Sequence, residues 1–320
     1  MRVSVVVPAY EAQATVGAAI SSALWQTYRD LEVVVVDDGS GDATGAIAAS
    51  FPDPVRAVRQ ENAGVAAARN RGIAEARGEL IAFCDADDVL LPRHLEELVA
   101  TFDRHGGGIA TSNCYWLFPS GIHPSRTRYK GGFPSPQRQR LAILQQNFVS
   151  TMSLFPKRLA DELGGFATDL EVAEDWDFWL RAIYAGERVS LQRQPLALYR
   201  WGSESLSAAP ARMDEHAEAV LRRAAARDDL SAEERAYLDR RLSGPSPAQL
   251  GRRGDEALRA GRYREAAASY RQAANLCPAE PRLVWKARVL RAAPWLTGPL
   301  VRARQLKIEG AIGFDEGHVR

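Results

Sequence analysis

Residues 78–92 read GELIAFCDADDVLLP, and every other segment has to be understood in relation to them. Leu80 to Cys84 form a short, nearly continuous apolar run, which suits a strand buried on both faces of a sheet. The run stops at three carboxylates, Asp85, Asp87 and Asp88, and Pro92 then opens a helix. A buried strand that ends in acids puts negative charge at the carboxyl edge of a sheet, where open α/β sheets take their ligands. Crowded carboxylates repel and stay ionised only with a cation or hydrogen-bond donors beside them. Hard oxygen ligands at this spacing suit Mg2+ or Mn2+, ions that usually take one or two carboxylates plus substrate phosphates. The same acids also fit a turn in which Asp88 merely caps the next helix. The neighbouring segments have to decide.

Upstream, Val3 to Val7 reads as a buried strand ending at Pro8-Ala9-Tyr10-Glu11. Val16, Ile20 and Leu24 then share a helix face, with Thr15 placed to cap it. Leu31 to Val36 is a second strand and ends in Asp37-Asp38-Gly39-Ser40, followed by a helix over 43–50 and a weaker strand at Val55 to Val58. Asn62-Ala63-Gly64 leads into a helix that carries Arg69 and runs to about Ala76. Alternating strands and helices with short connections predict a parallel sheet wound with helices. Right-handed crossovers bring the strand ends to one edge, so Pro8, Tyr10, Glu11, Asp38, Asp85 and Asp87 become neighbours. No G-x-G-x-x-G follows the first strand and no G-x-x-x-x-G-K-[ST] occurs. A nucleotide whose pyrophosphate is held by a metal fits better than one held by a glycine loop.

The blocks VSVVVPAYEA, LEVVVVDDGSGDAT, ENAGVAAARNRGI and GELIAFCDADDVLLP stand in this order, and GGFATDLEVAEDWDFWLRAIYAG follows at residues 164–186. Together they resemble the inverting glycosyltransferases of family 2, with the GT-A fold, over roughly residues 1–207. The resemblance implies a doubly wound, mixed α/β sheet that takes a nucleotide-sugar donor, most often UDP-linked. By it, Pro8 and Tyr10 line the base pocket, Asp38 accepts from the base and Arg69 points toward the pyrophosphate. Asp85 and Asp87 become the D-x-D pair, one on the ribose side and one on Mn2+ or Mg2+, with Asp88 a further metal candidate. Glu11 departs from the commoner Asn, which changes how the ribose or base is gripped. Many members carry a His where Gly202 stands, so here the metal is left to aspartates, phosphates and water.

Glu174-Asp175-Trp176-Asp177 opens an amphipathic helix, and acids in a first turn suit the helix dipole in any protein. The family block implies more: Asp175 as catalytic base, Glu174 orienting it or holding the backbone, Trp179 and Arg181 packing the helix. Residues 107–147 are irregular apart from a candidate strand at Ile109 to Phe118, and read as a long basic loop. In it Tyr129 and Phe133 are candidates to stack on a sugar.

The back of the chain differs in charge. Residues 1–206 carry 20 Lys+Arg against 25 Asp+Glu, and residues 207–320 carry 21 against 15. Residues 208–248 read as a helical linker. Residues 249–281 place Gly254, Ala266, Tyr270, Ala273 and Pro278 at the offsets of a single tetratricopeptide-like hairpin. One such repeat cannot bury its face alone, which makes a following helix, the transferase domain or self-association the candidates to cover it. Residues 282–320 form a basic tail; its stretch 282–307 interleaves Trp285 and Trp295 with arginine and lysine. That pattern fits either a cap on the repeat or a foot on an anionic membrane surface.

Length, 46% hydrophobic residues and a net charge of +1 fit an ordinary globular chain and do not call for a nucleic-acid partner. Cys84, Cys114 and Cys277 lack metal spacing and read as reduced thiols of a cytoplasmic protein. The N-terminus starts at once with a strand, so no signal peptide is expected. The expected reaction moves a sugar from a nucleotide diphosphate to a hydroxyl of a glycan, a lipid-linked glycan or a small molecule, with no redox cofactor. A nucleotidyltransferase would use the same metal and acids but release pyrophosphate. A decayed transferase kept as a helical-repeat scaffold would have no use for the full set of acids.

Overall fold

The computed structural model describes residues 1–201, 210–278, 281–292, 299 and 301. In chain order its elements begin β1 (Val3–Ala9), α1 (Val16–Leu24), β2 (Leu31–Asp37), α2 (Thr44–Ala49), β3 (Val55–Arg59), α3 (Val65–Glu75), β4 (Leu80–Phe83), β5 (Val89–Leu90) and α4 (His94–Arg104). There follow β6 (Ile109–Phe118), β7 (Gly121–Thr127), α5 (Gln139–Gln145), β8 (Leu154–Pro156), α6 (Lys157–Leu163), α7 (Glu174–Tyr184) and β9 (Val189–Arg200). The remainder is helical: α8 (Pro210–Ala225), α9 (Ala232–Leu242), α10 (Pro247–Arg259), α11 (Tyr263–Leu276) and α12 (Pro281–Ala292). By compactness the chain divides into one unit of residues 1–143 with 147–220, and a second of residues 144–146 with the chain from Leu221 onward.

The first unit is an α/β sheet of mixed direction. Its strand order is β3-β2-β1-β4-β8-β6-β9-β5, with β7 paired to β6. The first four strands are parallel, and β8 joins them antiparallel to β4. The Val-rich β1 and β2 are buried at every position, as β-branched strands covered on both faces must be. Helix α3 lies so close to β1 that a side chain at Gly72 would meet Val6 Cγ1 at 2.2 Å, which is why this helix carries a glycine in its interior. At the amino edge the buried Glu32 accepts from Ser4 Oγ at 2.7 Å and Arg77 N at 2.6 Å.

Two local expectations differ from the structure. Thr15 precedes α1 but makes no capping bond; its hydroxyl donates back to Ala12 O at 3.4 Å. Part of the expected long loop is β7, a strand that among the described residues pairs with β6 alone. Its polar residues and Pro124 hid it, and a proline is tolerated because an edge strand leaves one side of its backbone unpaired.

In the second unit α10 and α11 form a tight helical hairpin. Gly254 faces the Tyr270 ring, where an added Cβ would lie 2.7 Å from Cε1, and Ala266, Tyr270 and Ala273 are fully buried. Ala287 and Leu290 of α12 join the same apolar cluster, and Lys286 Nζ donates to Asp255 Oδ1 at 2.6 Å. Ser231 with Glu234 and Ser246 with Gln249 close reciprocal capping boxes at α9 and α10. Of the expected basic segment 282–307, residues 293–298, 300 and 302–307 lie outside the described residues, as does Gly202 with the rest of 202–209. Among the described residues no helix is long and apolar enough to cross a membrane.

Candidate active site

The carboxyl ends of β1, β2 and β4 meet at one edge, and the loops there are held by their own acids. Asp38, buried beyond β2, accepts from Gln60 Nε2 at 2.7 Å, Ala63 N at 3.0 Å and Gly64 N at 2.9 Å. It thereby fixes the Asn62-Ala63-Gly64 approach to α3. A carboxylate offers about four acceptor sites, so these three bonds leave it room for another donor. Pro8 lies in buried β1, and Tyr10 just beyond stands 54% exposed at the mouth of the edge. Glu11 adopts a left-handed backbone (φ 49°), a conformation Asn tolerates far better than Glu. Its carboxylate accepts from Gly41 N at 2.6 Å, and its own N–H donates to Ser40 Oγ at 3.0 Å, bonds that offset the strain.

Beyond β4 the chain turns at once: Asp88 N donates to Asp85 O at 2.9 Å, which crowds Asp85, Asp87 and Asp88 together. Burial and the neighbouring Asp85 charge raise the Asp87 carboxyl above its usual range, and the same causes with Asp87 added raise Asp88 well above it. Asp88 does not cap α4; β5 intervenes, and Asp88 Oδ1 accepts from Arg200 N at 2.8 Å. Its Oδ2 is buried with no partner among the described residues. Arg200 Nε also donates to Asp87 O at 2.8 Å, so β9 braces the turn.

Helix α7 supplies the other side. Ala173 before it is left-handed (φ 65°), a strained geometry that delivers Glu174 and Asp175 at the first turn. Arg69, buried on α3, joins the two halves: one guanidinium nitrogen donates to Glu174 Oε1 and the other to Asp85 Oδ1 at 2.9 Å. The guanidinium also lies over Phe83 and Phe166, 5.5 and 5.7 Å from the ring centroids. Asn70 clamps Phe166 from the same helix, accepting from its N at 2.7 Å and donating to its O at 2.8 Å.

Asp175 is enclosed by protein yet keeps part of its surface accessible, as a cleft-lining group does. Burial raises its carboxyl above the usual range, while Arg69, the Trp176 N–H and Arg128 pull it back. Glu174 is likewise raised by burial, against the Arg69 charge. Trp179 is wholly buried, and Arg181 donates to Leu163 O at 2.7 Å and Gly165 O at 2.8 Å, so both serve packing. Tyr129 faces inward rather than offering its ring to a sugar. Its hydroxyl donates to Phe148 O at 2.7 Å, and its ring meets Phe133 edge-on at 5.6 Å. Thr151, Asn147 and Arg200 also touch the acids; nothing in the sequence around Thr151 and Asn147 marks them, whereas Arg200 stands two residues before Gly202, in the segment that resembles the end of the family domain.

Among the described residues no three acidic, His or Cys side chains form a ready-made metal cage. The carboxylates nonetheless fit a divalent cation: two are crowded until ionisation is unfavourable, and one holds a buried oxygen without a donor. Such ions complete their shell with substrate phosphates and water.

A family model described as Glycosyl transferase family 2 matches residues 4–164, just over half of the 320-residue chain. The chain belongs to glycosyl transferase family 2. Among its relatives, the uncharacterized glycosyltransferase EpsJ of Bacillus subtilis is 30% identical over 229 residues, covering 67% of this chain and 66% of EpsJ. The succinoglycan biosynthesis protein ExoO of Rhizobium meliloti is 33% identical over 222 residues, covering 64% of this chain and 62% of ExoO. The chain thus spans about two thirds of the length of these relatives. Among solved structures, S. aureus TarS 1-349 in complex with UDP-GlcNAc superposes with TM-score 0.61 at 19% identity, covering 91% of this chain and 90% of that one. The mannosyltransferase PcManGT from Pyrobaculum calidifontis, in complex with GDP-Man and Mn2+, gives TM-score 0.60 at 22% identity, covering 98% and 87%. At these identities the likeness shows the GT-A fold that this family 2 chain shares with them.

Proposed function

We propose that this chain is an inverting glycosyltransferase that moves a sugar from a nucleotide-diphosphate sugar, UDP-linked, to an acceptor hydroxyl in the assembly of a cell-surface polysaccharide or glycoconjugate. The observation that carries this reading is Arg69, which binds the acid end of β4 and the acid start of α7 into one site. The names of the relatives and the nucleotides bound in TarS and PcManGT support the substrate class.

Pro8 and Tyr10 would border the base, Asp38 would accept from it with its remaining site, and Glu11 with Asp85 would meet the ribose. Arg69 lies beside Asp85 and presents positive charge toward the diphosphate. A divalent cation, Mn2+ or Mg2+, held by Asp87 with Asp85 and Asp88, would draw charge off the departing diphosphate. Asp175 takes the proton from the acceptor hydroxyl as its oxygen attacks the anomeric carbon. The bond from that carbon to the diphosphate oxygen breaks on the opposite face, the electron pair leaves with the nucleoside diphosphate, and the configuration inverts. A base whose carboxyl is raised toward neutral pH by burial suits this task.

Asp175→Asn tests the assignment. It keeps the side chain's shape and the acceptor for Trp176 N, gives up the bond from Asn147 Nδ2, and cannot take a proton. The variant should stay folded with a melting temperature lowered only modestly and bind UDP normally, while transfer falls at least roughly a hundredfold. Near-normal transfer with a lowered melting temperature would make Asp175 a helix-start residue only.

A further inference from the structure

Asn147 lies between α5 and β8, in a segment with no sequence mark of function. Its Nδ2 donates to Asp175 Oδ2 at 2.8 Å, and the other oxygen, Oδ1, accepts from Trp176 N at 2.7 Å. Asn147 Oδ1 accepts from Val149 N at 3.2 Å, so only one of the two amide orientations is consistent with both neighbours. A flipped amide would set an oxygen against the carboxylate and an N–H against an N–H.

The segment itself is pinned at three consecutive carbonyls. Arg128 Nη2 donates to Asn147 O at 3.4 Å and to Val149 O at 3.3 Å, and the Tyr129 hydroxyl donates to Phe148 O between them. The residues just after β7, which the sequence places in a long basic loop, form a brace.

We propose that Asn147 is a positioning residue for the base: it fixes the rotation of the Asp175 carboxylate and stabilises its ionised form, and Arg128 and Tyr129 hold it in place. This rests on the reading of Asp175 as the base. With both carboxylate oxygens already engaged, the remaining lone pairs are aimed in set directions, as a group that must meet an acceptor proton requires.

Among the described residues the charged groups around Asp175 are Glu174 on its own helix, Arg69 from α3, Asp85 beyond β4 and Arg128 beyond β7. Removing the Asn147 donor leaves these in place and takes away one bond to the charged form. The proton affinity of Asp175 must then rise.

The test is a carbon-13 carboxyl titration of the full chain labelled at aspartate, in Mg2+ buffer, with the Asp175 resonance assigned through Asp175→Asn. In Asn147→Ala the Asp175 midpoint should move up by about one pH unit or more. In Asn147→Asp, which keeps shape and the bond from Val149 N but faces one carboxylate with another, it should move further. Release of UDP from UDP-hexoses, with water as acceptor, should then rank wild type above Asn147→Ala and Asn147→Asp lowest at neutral pH. A packing role would reverse the last two, since aspartate preserves the packing. An unmoved midpoint in both variants, or Asn147→Asp outperforming Asn147→Ala, overturns the inference. If the midpoints shift while Asp175→Asn retains full turnover, the contact stands and the reading of Asp175 as base fails instead.

Discussion

Glu32 and Asp88 are acids of one sheet, at opposite edges, and they are equally buried, 1% and 2% exposed. Their fates differ. Glu32 at the start of β2 is met by Ser4 Oγ, Arg77 N and the guanidiniums of Arg56 at 3.5 Å and Arg2 at 3.9 Å. Burial would raise its carboxyl, but these donors and charges hold it below its ordinary value. Among the described residues the Asp88 carboxylate beyond β4 has one donor, Arg200 N, and burial with two acids beside it drives its carboxyl up. Burial alone therefore does not decide what a carboxylate does; the donors around it do. At the amino edge Glu32 is satisfied within the protein and serves stability. The carboxyl edge keeps a deficit of positive charge, which a divalent cation would fill on the proposed reading.

The largest expected effect on stability lies where Asp85 and Glu174 share one buried arginine. Arg69→Met removes the cation between Asp85 and Glu174 and should cost about 3–5 kcal/mol in denaturant unfolding. Adding Glu174→Gln should recover part of that loss; no recovery would mean that Arg69 acts through its packing on Phe83 and Phe166. Glu32→Gln should cost about 1–3 kcal/mol at neutral pH and leave sugar transfer unchanged. Its sign with pH is fixed. A lowered carboxyl gives stability that is present above the ordinary glutamate value and lost as pH falls through the lowered one. The gap between wild type and Glu32→Gln should accordingly narrow on acidification, and a gap constant down to acid pH would remove the ion pairs from the account.

Much of this was legible beforehand for a physical reason. Apolar runs ending in Asp38 and Asp85 mark buried strands and their shared edge, because burial on both faces leaves no polar alternation. The hairpin of Gly254 and Tyr270 was visible since close helix packing demands a small residue opposite a large one. What stayed hidden depends on tertiary placement. β7 has few strand-like residues, and it is held as an edge by β6. Asn147 and Arg200 act through one amide and one backbone N–H aimed across 28 and 112 residues of chain, and no local pattern encodes such a reach. Tyr129 among basic residues suggested a sugar platform, yet its ring finds Phe133 and Arg128 instead.

The most direct test of the contrast is thermal melting of Asp87→Asn beside Glu32→Gln, first in EDTA and then with UDP and MnCl2. Asp87→Asn removes a charge from a crowded turn, so without metal it should melt at or slightly above wild type, within about 0.5 kcal/mol. It should lose the extra stabilisation that UDP with Mn2+ gives wild type, whereas Glu32→Gln should melt lower yet keep that stabilisation in full. Asp87→Asn melting well below wild type while still responding to UDP and Mn2+ would contradict the account, making the carboxyl-edge acids structural and placing the nucleotide site elsewhere.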